Sequence, residues 1–332
     1  MARMMNNAKS KIGEQILTLS KDGLTTGFTR QLQIEWEKRA TVRSRPKVVY
    51  DKEAKGYYYP ISRTPLAIHP TVMAKGERAI EFLLIQSLYK YSNDIATIET
   101  RVVNETIIKV LTNQMPIEFN KEQKINLYTI MVDEAYHAYV AFDAMLQIED
   151  HTGVEALPLP EVIEIEKAIT KVKEKLDNKY HNIFDLICVC LAENTLTKEI
   201  ITMTDQEETH PFFQKIIKDH FADEKRHSGI FYKLLEFIWI NLNEEYKEHI
   251  GEIIVDFIEE YLGLTIQINF DKQVLSKIGF SDKEASKIVE DTYGGFKLTK
   301  DHPMLKNIIM LLDKAGVFDQ FTLPKFEEKE WA

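Results

Sequence analysis

Apolar residues recur three and four positions apart along almost the whole chain, and the strict alternation of a half-buried strand is missing. Proline and glycine are sparse and gather between the periodic segments. The first region, to about Pro70, combines an early helix with an irregular stretch around Tyr57-Tyr58-Tyr59-Pro60. A long helix is predicted over 71–113, closed by Met115-Pro116. The next begins near Asn120, with Gln123 as its capping-box partner, and runs to about Asp150. His151-Thr152-Gly153 stops it, and Pro158 and Pro160 mark a loop. After a shorter helix over 161–176 comes the most apolar one, 181–203. There Ile183, Phe184, Leu186, Ile187, Val189, Cys190 and Leu191 leave little polar face, so this helix should be central. Pro211 suits the first turn of a helix reaching about Asn241, roughly 45 Å long at 1.5 Å per residue. Further helices are predicted over 244–267, 282–291 and 303–314, and the tail from Phe318 reads as loosely ordered. The expectation is an all-α protein with one domain over 1–332. Four long helices form a bundle over about 71–241, with peripheral helices that include 244–314.

Composition fits an ordinary soluble globular chain: 332 residues, 44% hydrophobic and 28% charged. The net charge is −10 and no Lys/Arg stripe tracks a phosphate backbone, which argues against nucleic acid as a partner. No apolar run approaches the roughly 18 residues of a spanning helix, so no membrane partner is expected. Residues 1–11 are polar and lack the apolar core of a signal peptide. The only cysteines, Cys188 and Cys190, sit two apart on a helix and point in different directions. They read as reduced core thiols of a cytoplasmic protein.

The chemistry is concentrated in two segments, Asp133-Glu134-Ala135-Tyr136-His137 and Asp223-Glu224-Lys225-Arg226-His227. Each is an Asp-Glu-x-x-His motif inside a long helix. Glu and His three residues apart lie on one face, one turn apart, so a carboxylate can bridge two ions while the imidazole ligates one of them. One such motif is usually a solvated helix surface; two on separate long helices are the ligand plan of ferritin-like di-iron bundles. That plan also demands one glutamate from each of two other helices. Glu99 sits among Ile95, Ile98, Val102 and Val103, and Glu193 ends the run from Leu186 to Ala192, where an uncompensated charge would be prohibitive. Four glutamates balance two divalent ions. Carboxylate and imidazole donors suit iron, with manganese as a substitute, better than structural zinc. His220 precedes Glu224 by four and His227 by seven, so it projects from the same helix face as a third imidazole. Asp133 and Asp223 face about 100° away from their glutamates. They are expected to accept the second N–H of a ligating histidine.

Glu99, Glu134-x-x-His137, Glu193 and His220-x-x-x-Glu224-x-x-His227 together resemble the p-aminobenzoate N-oxygenase family of di-iron enzymes, over about residues 71–241. The third histidine carries the resemblance. It implies a seven-ligand set made of those residues, a ferritin-like fold, a homodimer and electrons from a separate donor. It further implies oxidation of an aromatic amine by O₂ to the hydroxylamine and onward toward the nitro compound, typically in natural-product (antibiotic) biosynthesis.

For the substrate, the turns leading into Glu99 offer Tyr91 and Asp94 rather than a cationic anchor, and Arg101 faces elsewhere. Tyr91 is the candidate pocket wall, and a neutral, cationic or carrier-bound amine fits as well as a free aminobenzoate. Three other readings compete. The same metal pair could hydroxylate or desaturate a C–H bond. A radical-generating subunit would use Tyr136 or Tyr139, against which the third imidazole speaks. Iron storage needs a much shorter chain.

Overall fold

The computed structural model describes residues 26–203 and 208–332. Their regular elements are helices, and the β pairing among them is one isolated parallel bridge between Tyr57 and Thr209. Leaving single turns unnumbered, the helices are α1 (Thr26–Arg39), α2 (Glu77–Thr97), α3 (Glu105–Leu111), α4 (Lys121–Thr152), α5 (Glu164–Lys173) and α6 (Asn178–Ile201). They continue with α7 (Pro211–Asn241), α8 (Glu244–Tyr261), α9 (Thr265–Lys277), α10 (Asp282–Tyr293), α11 (Pro303–Lys314) and α12 (Leu323–Glu328). No described helix is long and apolar enough to cross a membrane. The polar segment 1–11 lies outside the described residues.

Local chemistry sets the ends of the bundle helices. Asn120 accepts from the Gln123 backbone while the Gln123 side chain caps the Asn120 N–H. Gly153 closes α4 in the left-handed region at φ 68°, where a residue without Cβ escapes the clash. Pro211 opens α7, with the His210 ring accepting from the Phe212 N–H. Helix α2 packs on α4, and α6 packs on α7. As its composition demands, α6 is central: its side chains from Ile183 through Glu193 are buried without interruption.

The predicted helix over 71–113 departs from its expected form. It starts at Glu77, and between α2 and α3 the backbone widens into a π-helical stretch, Ile98–Asn104. Within that stretch Ile98, Glu99, Val102 and Val103 all face the interior. The predicted helix over 244–267 is two helices, broken after Tyr261. The Glu164 carboxylate, from the start of α5, accepts the Ile266 N–H at 2.7 Å and so caps α9 from a distant part of the chain. The tail from Phe318 is docked rather than loose. Phe326 is fully buried against Phe318 and Trp331, and Asp319 accepts from the Trp239 indole at 2.7 Å. One apolar cluster runs from Ile98 through α6, α7 and α8 to Trp331.

Candidate metal centre

Each sequence-predicted ligand comes from a bundle helix and is buried. Glu99 lies on the π stretch, Glu134 and His137 on α4, Glu193 on α6, and His220, Glu224 and His227 on α7. The fold brings all seven together in two groups. Glu99, His137, His220 and Glu224 form one; Glu134, Glu193, Glu224 and His227 form the other, the donor atoms within each lying within 4.8 Å of one another. Glu224 belongs to both. Glu134 also reaches across, with one oxygen 3.0 Å from His137 Nδ1 and the other 2.9 Å from His227 Nδ1. Two carboxylates thus span two groups, each finished by imidazole and a further glutamate.

The orientation of the donors tests whether cations fit. His220 Nε2 lies 3.0 Å from Glu99 Oε1, yet neither atom makes a hydrogen bond of proper geometry. Both oxygens of Glu99 and of Glu193, and Oε2 of Glu224, are likewise buried without a partner. Lone pairs converging on a common centre are costly in a dry core unless a cation occupies it. Four glutamate charges match two divalent ions, so the residues present fit a dinuclear metal.

Protonation of the metal-free cluster follows the same logic. Burial pushes the Glu99 carboxyl up to about 7, against the pull of the His220 and His137 imidazoles. Burial and the neighbouring Glu224 and Glu134 charges push Glu193 well above the carboxylate range. Glu134 and Glu224 feel the same burial, but His227 foremost holds both below that range. His137 and His227 rise well above the usual imidazole range; the surrounding carboxylates outweigh burial.

Asp133 and Asp223 do face histidines, and the pairing is crosswise. Asp133 on α4 lies 3.1 Å from Nε2 of His227 on α7, while Asp223 on α7 lies 3.2 Å from Nε2 of His137 on α4. Holding the proton on Nε2 leaves Nδ1 of each ring facing the cluster. Three further residues complete this shell and were not apparent from the sequence. Trp36 of α1 donates its indole N–H to Asp133 at 2.9 Å, and Thr41 donates both its backbone N–H and its hydroxyl to Asp223. Arg226, inside the second motif, donates to both aspartates. Its spacing three after Asp223 was the one available signal.

Tyr91 lines two hollows. A small one, about 40 Å³, reaches His137 and His220; the larger, about 550 Å³, lies along an adjoining face of α2 and shares Tyr91 and Ile95 with it. The Tyr91 ring packs near Tyr59 and Phe213, and its hydroxyl is buried without a partner. Arg101 does turn away, pairing with Glu166 at 2.8 Å. Tyr139 is half exposed, and Tyr136 stacks against it. Cys188 and Cys190 are free and buried.

The family described as P-aminobenzoate N-oxygenase AurF matches residues 19–313, most of the chain and all seven clustered side chains. The chain belongs to that family. No individual curated protein matches it. The resemblance carried by His220 and the two Glu-x-x-His motifs is therefore borne out, and the all-α architecture agrees with it.

Proposed function

We propose that this protein is a di-iron N-oxygenase, which uses O₂ to oxidise an aryl amine to the hydroxylamine and onward toward the nitro compound. One observation carries the reading: two carboxylate–imidazole groups joined through Glu224, inside the segment matched by an N-oxygenase family. Glu99, His137 and His220 are assigned to one ion, Glu193 and His227 to the other, with Glu134 and Glu224 spanning both. Oxygen and nitrogen donors without thiolate favour iron, with manganese as the substitute. Once bound, the ferrous pair supplies the reducing chemistry toward O₂. The first oxidation balances as R–NH₂ + O₂ + 2e⁻ + 2H⁺ giving R–NHOH + H₂O, so a separate donor must deliver two electrons.

The chain's own residues set the conditions. Asp133 and Asp223 keep His227 and His137 in the tautomer that ligates through Nδ1. The apolar sides of α2, α6 and α7 exclude bulk water, which strengthens each charge interaction inside. Continuity of the apolar cluster from Ile98 to Trp331 supports a single oxygenase domain that includes the C-terminal helices. The two reduced thiols support a cytoplasmic location. A homodimer working in natural-product biosynthesis completes the proposal.

The test is to load the protein with Fe²⁺ without O₂, then admit O₂ in the presence of aryl amines. Mass spectrometry should find the hydroxylamine, and metal analysis two irons per chain, falling toward one in His220→Ala. A tyrosyl-radical resonance signal with no oxidised amine, or His220→Ala with two irons and normal turnover, would overturn the assignment.

A further inference from the structure

The larger cavity, about 550 Å³, has the size of a small-molecule site. Its inner wall is apolar: Ile95 and Ile98 lie within a turn of Glu99, and Leu196 within a turn of Glu193. Its polar wall has an unusual charge balance. Lys90, nearly buried, sets its ammonium 2.6 Å from Asp94 Oδ2. The same ammonium acts on Asp271 and, after Lys167, on Glu164, so the wall sets three carboxylates against the cations of Lys90 and Arg63. Some of their capacity is used elsewhere. Glu164 Oε1 caps α9, and Asp271 accepts from Gln267 and the Tyr293 hydroxyl. Asp94 Oδ1 and Glu164 Oε2, however, are buried acceptors without a partner. Arg63, the other Lys or Arg on the wall, is hydrogen-bonded to the Tyr59 phenol.

We propose that this cavity takes amines whose far end carries a cationic group or several N–H donors, received by Asp94 and Glu164. This rests on the N-oxygenase reading, and it separates the substrate from aminobenzoate. A benzoate would bring a fourth carboxylate to a wall where carboxylates already outnumber cations, and leave both buried acceptors empty. An ammonium or amidinium satisfies those acceptors through charge-assisted hydrogen bonds and evens the charge.

The proposal is tested by calorimetric titration of the Fe²⁺-loaded protein without O₂, using three probes that share the aniline ring. They are 4-(aminomethyl)aniline, 4-aminobenzyl alcohol and 4-aminobenzoate. The cationic probe should bind about 10- to 100-fold more tightly than the benzoate, the range for a hydrogen bond to a charged group. Asp94→Asn, which also frees Lys90, should shrink or invert that ratio. Tighter binding of 4-aminobenzoate by the wild-type protein would overturn the proposal, as would a preference that survives Asp94→Asn in a variant with wild-type helicity. Admitting O₂ afterwards separates the two readings. A bound cationic probe that is never N-oxidised counts against the N-oxygenase assignment alone, and an oxidised, tighter-bound aminobenzoate counts against the cationic cavity alone.

Discussion

Replacing Glu193 with leucine should stabilise the metal-free protein while removing one donor of the candidate metal site. Glu193 is fully buried in the most apolar helix, its two oxygens have no hydrogen-bond partner, and the Glu134 and Glu224 carboxylates face it. An unsatisfied buried polar group costs about 1–3 kcal/mol. Exchanging buried charges for well-packed apolar side chains has stabilised other cores by about 1–4 kcal/mol. A gain of about 2 kcal/mol is therefore expected. Unfolding entropy is about 2.1 cal/mol/K per residue, or about 0.7 kcal/mol/K for a 332-residue chain, so the melting temperature should rise by about 3 °C. Differential scanning calorimetry of chelator-treated Glu193→Leu beside wild type reads this directly. The order should reverse after loading with Fe²⁺, because only the wild type gains the full stabilisation by ligand binding. A metal-free variant that melts below the wild type would refute the view that Glu193 is held in the fold against its own cost.

Stability of the metal-free protein should fall as pH rises from 5 to 8. Glu99 is pushed up to about 7 and Asp271 to about 6, so each contributes stability that is fully present below the ordinary carboxylate range and lost as pH rises through those values. His137 and His227, raised well above the ordinary imidazole value, act in the same direction at the upper end of the window. Glu134 and Glu224 are lowered, so their contributions are lost only in stronger acid. For Glu99 alone the loss is on the order of 3 kcal/mol; urea unfolding at pH 5, 6.5 and 8 checks it, and constant or rising stability would contradict it. Thr41→Val, which removes the hydroxyl donor to Asp223, should weaken metal binding about 10-fold in a chelator competition, and Thr41→Ser should restore it. Equal affinity in all three proteins would show that the contact does not position His137.

The seven clustered side chains were legible because a helix converts spacing directly into direction. Intervals of three, four and seven put His220, Glu224 and His227 on one face whatever surrounds them, and Glu193 is conspicuous as a charge in an apolar run. What stayed hidden depends on separation along the chain. Trp36 is 97 residues from Asp133, and Thr41 is 182 from Asp223, so no local pattern links them. The break between α8 and α9 is fixed by Glu164, 102 residues before Ile266. The π stretch escaped for another reason: the apolar pattern of Ile95, Ile98, Val102 and Val103 is compatible with both windings. The tail reads as loose from sequence because its aromatics, Phe318, Phe326 and Trp331, are too few and too unevenly spaced to signal the surface they dock on.

The two sets of buried acids divide the work of the site. Asp133 and Asp223 are each supplied with donors by the protein itself: Arg226 reaches both, Trp36 serves one and Thr41 the other. Asp223 is thereby held below the usual carboxylate range before any metal arrives, the His137 hydrogen bond foremost outweighing burial. The Nδ1 atoms of His137 and His227 are turned toward the cluster in advance as a result. Glu99 and Glu193 lack such partners and stay protonated or repelled until cations enter. Metal binding then needs little rearrangement of the imidazoles and displaces protons both from Glu99 and Glu193 and from the His137 and His227 rings, which ties affinity to pH. Carboxylates equipped with donors hold the geometry, and carboxylates without them provide the driving force for taking up the ions.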